Sequence, residues 1–214
     1  MNPDIRSRWV AQEIRVDKIE DLFAATPPLE GKKLLSILAV TKGIGYQDAR
    51  EHGIKLDFID VRRASFHADA RREVYVQLPE EDHEEGMCGL LHKALYGTRD
   101  APQNWEYSYS EFMTTGMGFQ RGRYSSRVFY HPTREMRVVV HGDDFTVLGY
   151  EEDLMWSRSG IQNRFECKLR GMLGPGLEDE KSIRILNRVI TWSSSGFQYE
   201  AVQRHAELIV KGMV

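Results

Sequence analysis

The residues with the clearest chemical potential are two adjacent aspartates, Asp143 and Asp144, in the short stretch His-Gly-Asp-Asp. Apolar, mostly β-branched residues precede the stretch at 138–140 and follow it at 145–148, which predicts a β-hairpin with the acidic pair at its tip. An aspartate at a hairpin tip is ordinarily a turn residue, because its side chain can bond nearby backbone N–H groups. Two adjacent carboxylates also repel each other unless a cation neutralises them, so a metal-binding role stands beside the plain turn.

If the aspartates bind metal ions, the chemistry that they would support is nucleotidyl transfer. A hard divalent cation such as Mg²⁺ takes oxygen ligands, typically one or two carboxylates completed by substrate phosphates. Two such ions can activate a 3′-hydroxyl and stabilise a leaving pyrophosphate, and this chemistry needs a further carboxylate from another strand. Asp60 is the best candidate, because it lies near the end of the apolar stretch 56–61, which predicts a buried strand. Asp57 should point to the opposite face of that strand.

The surrounding patterns predict the elements that must position these carboxylates. Helices are predicted at 30–41, 151–165 and 200–213, and from Asp100, which can cap a helix that has Pro102 in its first turn. Strands are predicted at 56–61, 73–78, 127–131 and 182–192, besides the hairpin. Strands in hairpins with helices between them predict an α+β fold, in which an antiparallel sheet carries helices on one face.

Composition narrows the class of protein. The chain has 214 residues, of which 41% are hydrophobic and 29% charged, as in a soluble globular protein of one large domain or two small ones. It has no run of about 18 apolar residues and no apolar N-terminal leader, so we expect no membrane span and an intracellular, cytoplasmic location. Cys88 and Cys167 lack metal-ligand spacing and are interpreted as free thiols of a reducing compartment.

Charge gives a mixed indication about nucleic acids. The formal net charge of −3 argues weakly against a nucleic-acid-binding domain. The basic residues are nevertheless grouped, which leaves room for a basic face beside acidic edges. The groups are Arg6 and Arg8, Arg62 and Arg63, Arg71 and Arg72, and Arg121, Arg123 and Arg127.

The order and spacing of several blocks resemble the reverse transcriptase of copia-type retrotransposons, over nearly the whole chain. The first catalytic block of that family resembles DVRRASFHADARREVYVQLPEE at 60–81, and its second block resembles CGLLHKALYGTRDAPQNW at 88–105. Its acidic hairpin resembles VVVHGDDF at 138–145, and its primer-cradling strand pair resembles ILNRVITW at 185–192. SRWVAQE at 7–13 and DLFAATPP at 21–28 resemble the fingers segments that precede the palm.

The resemblance implies an RNA-directed DNA polymerase, a nucleotidyltransferase that attacks the α-phosphate with a primer 3′-hydroxyl. Asp60 and Asp143 would hold two Mg²⁺ ions, with Mn²⁺ as an alternative, and Asp144 would support them. The partners would be an RNA or DNA template with its primer, and deoxynucleoside triphosphates. In a complete element the chain would be one slice of a polyprotein with RNase H and integrase domains, and it would be particle-associated.

The resemblance also implies binding roles for residues outside the acidic cluster. Arg6 and Arg8 would contact the incoming triphosphate. Gly97 would let the backbone approach the nucleotide and template closely. The tip of the primer-cradling pair would position the primer terminus through Leu186, Asn187 and Arg188.

Two departures from the family pattern concern the nucleotide site. His141 stands where the family's hairpin motif has a tyrosine. The position after Ala64 usually carries the aromatic residue that excludes a ribose 2′-hydroxyl, but here it is Ser65, with Phe66 next. With Ser65 in this position, ribonucleotide exclusion is in question. A local shift would let Phe66 fill the role, although a shift of one residue along a strand turns a side chain to the other face.

The resemblance divides the chain into parts of a polymerase. Residues 1–55 would be partial fingers, 56–192 a palm with an inserted fingers segment near 71–95, and 193–214 the start of a thumb that is largely missing. Such a piece should grip a duplex weakly and show low processivity.

Three functional hypotheses follow. The first is an active reverse transcriptase core. The second is a decayed or domesticated retroelement fragment that binds nucleic acid without catalysis, which the short chain, Ser65 and the acidic net charge favour. The third is another palm-type enzyme such as a nucleotidyl cyclase, against which the blocks at 88–105 and 185–192 argue.

Overall fold

The computed structural model describes residues 10–13, 29–41, 53–201 and 204–212. Arg6, Arg8 and the stretch 21–28 lie outside these residues, so the predictions made for them stay predictions. The chain divides into two compact units. Unit 1 comprises Met1–Ala25 and Arg63–Met117, and unit 2 comprises Thr26–Arg62 and Gly118–Val214.

The described residues form helices and short strands in alternation. The helices are α1 (Leu29–Val40), α2 (Ala101–Glu111), α3 (Glu151–Arg164) and α4 (Arg204–Gly212). The strands are β1 (Ile54–Val61), β2 (Tyr75–Val76), β3 (Gly89–Leu90), β4 (Gln120–Arg121), β5 (Val128–His131), β6 (Met136–His141), β7 (Asp144–Tyr150), β8 (Cys167–Leu173), β9 (Ser182–Ile185), β10 (Arg188–Ser193) and β11 (Gly196–Ala201). No helix among these residues is long and apolar enough to cross a membrane.

Unit 2 is built on a six-stranded antiparallel sheet in the order β4-β5-β6-β7-β1-β8. Alternate residues of β1, among them Leu56 and Phe58, enter a buried cluster with Leu35 and Ala39 of α1. Asp57 points to the other face, where Arg158 of α3 binds it. The α+β prediction is confirmed, but the placement of helices on one face was wrong, because α1 and α3 cover opposite faces of the sheet.

A second antiparallel sheet, in the order β11-β10-β9, adds Ile183, Ile185 and Ile190 to the cluster beneath α1. The single strand predicted at 182–192 was wrong, because the chain reverses at residues 186–187 to form a hairpin. The predicted helix from residue 200 was also wrong at its start. Residues 196–201 pair with β10 instead, and α4 begins at Arg204.

Unit 1 contains α2, the short β2–β3 ribbon and the described residues 10–13. The strand predicted at 73–78 is confined to β2. Pro102 lies in the first turn of α2 as predicted, but the Asp100 side chain makes no capping hydrogen bond. Its carboxylate instead accepts hydrogen bonds from Arg72 at 3.1 Å and from Asn104 at 3.0 Å.

The cysteines are unpaired, as predicted. Cys88 is exposed in unit 1, and Cys167 is partly buried at the start of β8 in unit 2. Burial is the main cause that raises the pKa of the Cys167 thiol, and the neighbouring carboxylates of Asp57 and Asp60 add to it.

Candidate active site

The acidic hairpin forms as predicted. His141 at the end of β6 pairs with Asp144 at the start of β7, which leaves Gly142 and Asp143 as a two-residue loop. Gly142 has a φ of 65°, in the left-handed region that two-residue hairpin turns require at their first central position. Glycine adopts this conformation without strain, so the local sequence itself places Asp143 at the tip.

The structure brings Asp60 to the same end of the sheet. Asp60 and Asp144 are direct partners across the β1–β7 ladder, and theirs is the last pair of that ladder. The backbone N–H of Val61 donates a 2.9 Å hydrogen bond to the carbonyl oxygen of Asp143, which ties the hairpin loop to the end of β1. Asp60, which is distant in sequence from the adjacent pair Asp143 and Asp144, therefore lies beside that pair, as the sequence predicted.

The electrostatic environment of Asp144 is unfavourable for its charged form. Burial raises the pKa of this carboxyl to about 6, and the nearby carboxylates of Asp143 and Asp60 add to the rise. Lys32 and Arg170 act in the opposite direction by favouring the carboxylate. Because burial and the neighbouring carboxylates outweigh these two cations, a further cation here would stabilise the charged form of Asp144.

Asp60 already has a cationic neighbour. The guanidinium of Arg170, on β8, donates to its carboxylate, and both side chains are partly exposed. Within the described residues, no group of three or more acidic, histidine or cysteine side chains is already placed to hold a metal ion together. The donor set itself fits Mg²⁺, since all three side chains offer carboxylate oxygens at one end of a rigid sheet.

Sequence reasoning did not find Lys32, which lies on α1. Its side chain is only 2% exposed, and its Nζ makes no hydrogen bond with any residue that the structure describes. Burial lowers the pKa of Lys32 to about 8, although Asp144 and Asp143 favour its charged form. The available sequence signal was its spacing from Leu35 and Ala39, which puts all three on one helical face.

His141 is a second residue of this environment whose chemistry the sequence did not reveal. Its Nδ1 is buried without a hydrogen-bond partner among the described residues. Burial lowers the pKa of His141, and the charges of Lys32 and Arg127 lower it further, so the ring is neutral at neutral pH. The imidazole therefore adds no positive charge beside the carboxylates.

Asp57 is excluded from the cluster, as predicted. It is fully buried on the opposite face, where Arg158 donates to both carboxylate oxygens at 2.8 and 2.6 Å. Burial raises the pKa of Asp57, and the guanidinium opposes that rise. This two-bond pairing gives Asp57 a structural role.

Ser65 and Phe66 lie in unit 1, within a 3₁₀ turn at Ala64–His67. The argument that a shift of one residue along a strand turns a side chain to the other face therefore does not apply to this segment. Ser65 is buried, whereas Phe66 is 38% exposed and meets the ring of Tyr96 edge to face at 5.6 Å. Phe66 is thus the accessible aromatic of this segment.

A close contact within the chain itself explains why position 97 of unit 1 is a glycine. Its φ is 93°, and a Cβ here would overlap the carbonyl oxygen of Ala11. The backbone N–H of Ala11 donates a 2.7 Å hydrogen bond to Tyr96, so the chain's own residues 10–13 make the close approach. A role of Gly97 in nucleotide binding stays a prediction.

The three residues predicted to position a primer occupy one hairpin tip. Leu186 and Asn187 form the two-residue loop between β9 and β10, with φ of 46° and 57°, and Arg188 begins β10. Arg188 also lines a cavity of about 470 Å³ together with Phe197, Tyr199 and the outer side of α1.

Comparison with known proteins identifies the family. The family described as reverse transcriptase (RNA-dependent DNA polymerase) matches residues 5–172. The chain is also similar to the Retrovirus-related Pol polyprotein from transposon TNT 1-94 of Nicotiana tabacum, with 25% identity over 144 residues. That match covers 62% of this chain and 11% of the polyprotein, so the chain spans about a tenth of this relative's length. The chain belongs to the reverse transcriptase family, as its resemblance to retrotransposon reverse transcriptases implied.

Proposed function

We propose that this chain is a reverse transcriptase core that adds deoxynucleotides to a primer 3′-hydroxyl on an RNA or DNA template. The observation that carries the proposal is the direct pairing of Asp60 with Asp144, with Asp143 in the adjoining loop. A plain turn would explain the hairpin aspartates alone. It does not explain why a third carboxylate, that of Asp60, stands in the last pair of the β1–β7 ladder, directly opposite Asp144.

Asp60 and Asp143 would hold two Mg²⁺ or Mn²⁺ ions, and Asp144 would support them. When bound, these ions supply charge stabilisation and activation of the attacking hydroxyl. The chain's own contribution is to fix the carboxylates on paired strands, where backbone hydrogen bonds limit their movement. A cation at this position would also favour the charged form of Asp144, whose pKa burial and the neighbouring carboxylates raise to about 6.

The remaining assignments rest on the family. Residues 56–192 would be the palm, with an inserted fingers segment near 71–95; residues 1–55 would be fingers, and 193–214 would begin a thumb. Arg6, Arg8, Ser65, Phe66 and Gly97 would contact the nucleotide, and the β9–β10 tip the primer. Template, primer and nucleotides are the proposed partners, with RNase H and integrase domains in a longer polyprotein and the cytoplasm as the proposed location.

One observation favours the alternative, a retroelement fragment that binds nucleic acid without catalysis. The Asp60 carboxylate, which catalysis requires as a metal ligand, is bonded to Arg170. A guanidinium is a permanent cation, so Arg170 must release Asp60 before this carboxylate can serve a metal ion. A fragment that had lost catalysis would have no reason to break this pair.

Primer extension separates the two functions. The experiment uses the whole chain with an RNA template, a DNA primer, deoxynucleotides and Mg²⁺. We expect extension by the parent and a loss of about 10²–10³-fold in Asp143→Asn, because several kcal/mol of transition-state stabilisation would be removed. Asp69→Asn is the matched control, since this aspartate is 80% exposed in unit 1 and should not affect the rate.

The alternative makes the opposite prediction for the same assay. If the parent binds template–primer but produces no extended primer under Mg²⁺ or Mn²⁺, the polymerase proposal is wrong. Equal extension by the parent and Asp143→Asn would also contradict it, because the product would then come from another enzyme in the preparation.

A further inference from the structure

The buried face of α1 carries a lysine that interacts electrostatically with the acidic hairpin. Leu35 and Ala39 of this face pack into the cluster that contains Phe58 of β1. Lys32 lies on the same face, one turn nearer the N-terminus of α1 than Leu35. Asp144 and Asp143 are the charged groups that act on its ammonium.

The Nζ of Lys32 differs in its hydrogen bonding from that of Lys55, which is also a buried lysine of unit 2. The Lys55 side chain is 3% exposed, and its Nζ donates to Glu151 at 2.8 Å and to Asp179 at 2.7 Å. Lys32 is equally buried, but its Nζ has no hydrogen-bond partner among the described residues. A buried ammonium without a hydrogen bond is costly, so a purely structural lysine is poorly explained here.

The charged groups that interact with Lys32 are mainly carboxylates. On its own helix, the next lysine, Lys33, is exposed. Asp144, at the start of β7, and Asp143, in the adjoining loop, are the carboxylates that favour the charged form of Lys32. Lys32 therefore supplies positive charge to the Asp143–Asp144 hairpin from α1, whereas Arg170 supplies it to Asp60 from β8.

We propose that the ammonium of Lys32 partly neutralises Asp143 and Asp144 and thereby weakens the binding of a divalent cation to them. The inference rests on the proposed function and deepens it. Because like charges repel strongly in a partly buried site, an ammonium that already interacts with these carboxylates opposes the binding of a further cation to them. Tight occupation by the metal would then require the negative charge of substrate phosphates.

Cation binding without nucleotide or nucleic acid tests this role directly. Mn²⁺ binding to the whole chain is measured by electron paramagnetic resonance of the free ion, for the parent, Lys32→Met, Lys32→Arg and Lys33→Met. We expect Lys32→Met to bind Mn²⁺ about tenfold more tightly, since it removes the repulsion and keeps the side-chain volume. Lys32→Arg retains the charge and Lys33→Met removes an exposed one, so both should match the parent.

The outcomes separate this inference from the proposed function. If Asp143→Asn abolishes Mn²⁺ binding while Lys32→Met binds like the parent, the role of Lys32 is wrong and the cation site stands. If Asp143→Asn binds Mn²⁺ as the parent does, the cation site itself is wrong. Absence of binding in every variant overturns both. Tighter binding of Mn²⁺ by Lys32→Met, together with no primer extension by the parent, supports the role of Lys32 and contradicts only the polymerase activity. If circular dichroism shows that Lys32→Met is unfolded, Lys32→Gln replaces it.

Discussion

Asp144 is a residue whose ionised side chain destabilises the folded chain. Burial raises the pKa of its carboxyl in the folded chain to about 6, above its ordinary value of 3.8. A carboxyl whose pKa rises on folding favours the folded state below its unfolded pKa, and this advantage is lost as the pH rises through the folded pKa. Without a metal ion, the chain should therefore lose stability between about pH 4 and pH 6 on account of this residue.

The substitution Asp144→Asn isolates that effect. We expect the variant to be more stable than the parent at pH 7.5 by on the order of 1–2 kcal/mol, because it removes an ionised carboxylate from a partly buried site where solvent screens part of the effect. The difference should shrink as the pH falls toward about 4. Urea unfolding in a chelator, at a series of pH values, measures it. A pH-independent difference would show that charge is not the cause.

The ion pair of Asp57 and Arg158 gives a second prediction at this scale. Asp57→Asn leaves a mostly buried guanidinium without its counter-charge, so the free energy of unfolding should fall by about 3 kcal/mol or more. Asp69→Asn breaks the exposed pair with Lys93 and should change it by less than about 0.5 kcal/mol. Urea unfolding of both variants checks the contrast; equal effects would contradict the structural role of Asp57.

Among the elements, the β6–β7 hairpin depends on the backbone of Gly142. A Cβ at this position would meet no atom within 4 Å, but the φ of 65° is one that side chains rarely adopt. Gly142→Ala should therefore lower the free energy of unfolding by about 1–2 kcal/mol through backbone strain alone. Gly142→Asn should cost less, because asparagine tolerates the left-handed region.

Gly212 provides the control for this prediction. It also has open space around its Cβ position, but it lies in α4 without a positive φ. Gly212→Ala should cause no loss in thermal or urea unfolding, since alanine favours a helix. A loss equal to that of Gly142→Ala would mean that added bulk, and not backbone conformation, destabilises the hairpin.

The β6–β7 and β9–β10 hairpins show which turns can be predicted from a sequence and which cannot. Gly142 between β-favouring runs is a recognised turn signal, and the hairpin was predicted. The β9–β10 turn uses Leu186 and Asn187, and a leucine in the left-handed region is not a turn signal. Leu186 packs against the core beneath α1, and this tertiary contact offsets the strain of its backbone.

At the scale of the whole molecule, charge is divided unevenly between the units. Unit 1 contains 9 basic and 15 acidic residues, which gives −6, whereas unit 2 contains 20 basic and 17 acidic residues, which gives +3. The net charge of −3 therefore conceals a basic unit that carries the acidic cluster. On the proposed function, we expect unit 2 to provide most of the attraction for a nucleic-acid backbone.

The acidic run of unit 1 should oppose that attraction. Replacing its carboxylates with amides should tighten template–primer binding by about tenfold at roughly 50 mM salt and by much less at roughly 200 mM, because salt screens the repulsion. The positions are Glu80, Glu81, Asp82, Glu84 and Glu85. Fluorescence anisotropy of a labelled duplex measures the affinity. Exchanging Glu for Asp and Asp for Glu at the same positions is the control, and an equal gain there would rule out charge.

The sequence by itself determined the α+β class, the acidic hairpin, the strand that carries Asp60 near its end and the exclusion of Asp57 from the cluster. These features depend on local patterns: alternation along a strand, a glycine that permits a tight turn, and the order of the blocks. Only the tertiary structure decided the pairing of Asp60 with Asp144, the ion pair of Asp60 with Arg170 and the burial of Lys32. Strand register and the packing of α1 set which distant charges meet, and a buried lysine at helical spacing cannot be distinguished from an exposed one until its helix is docked.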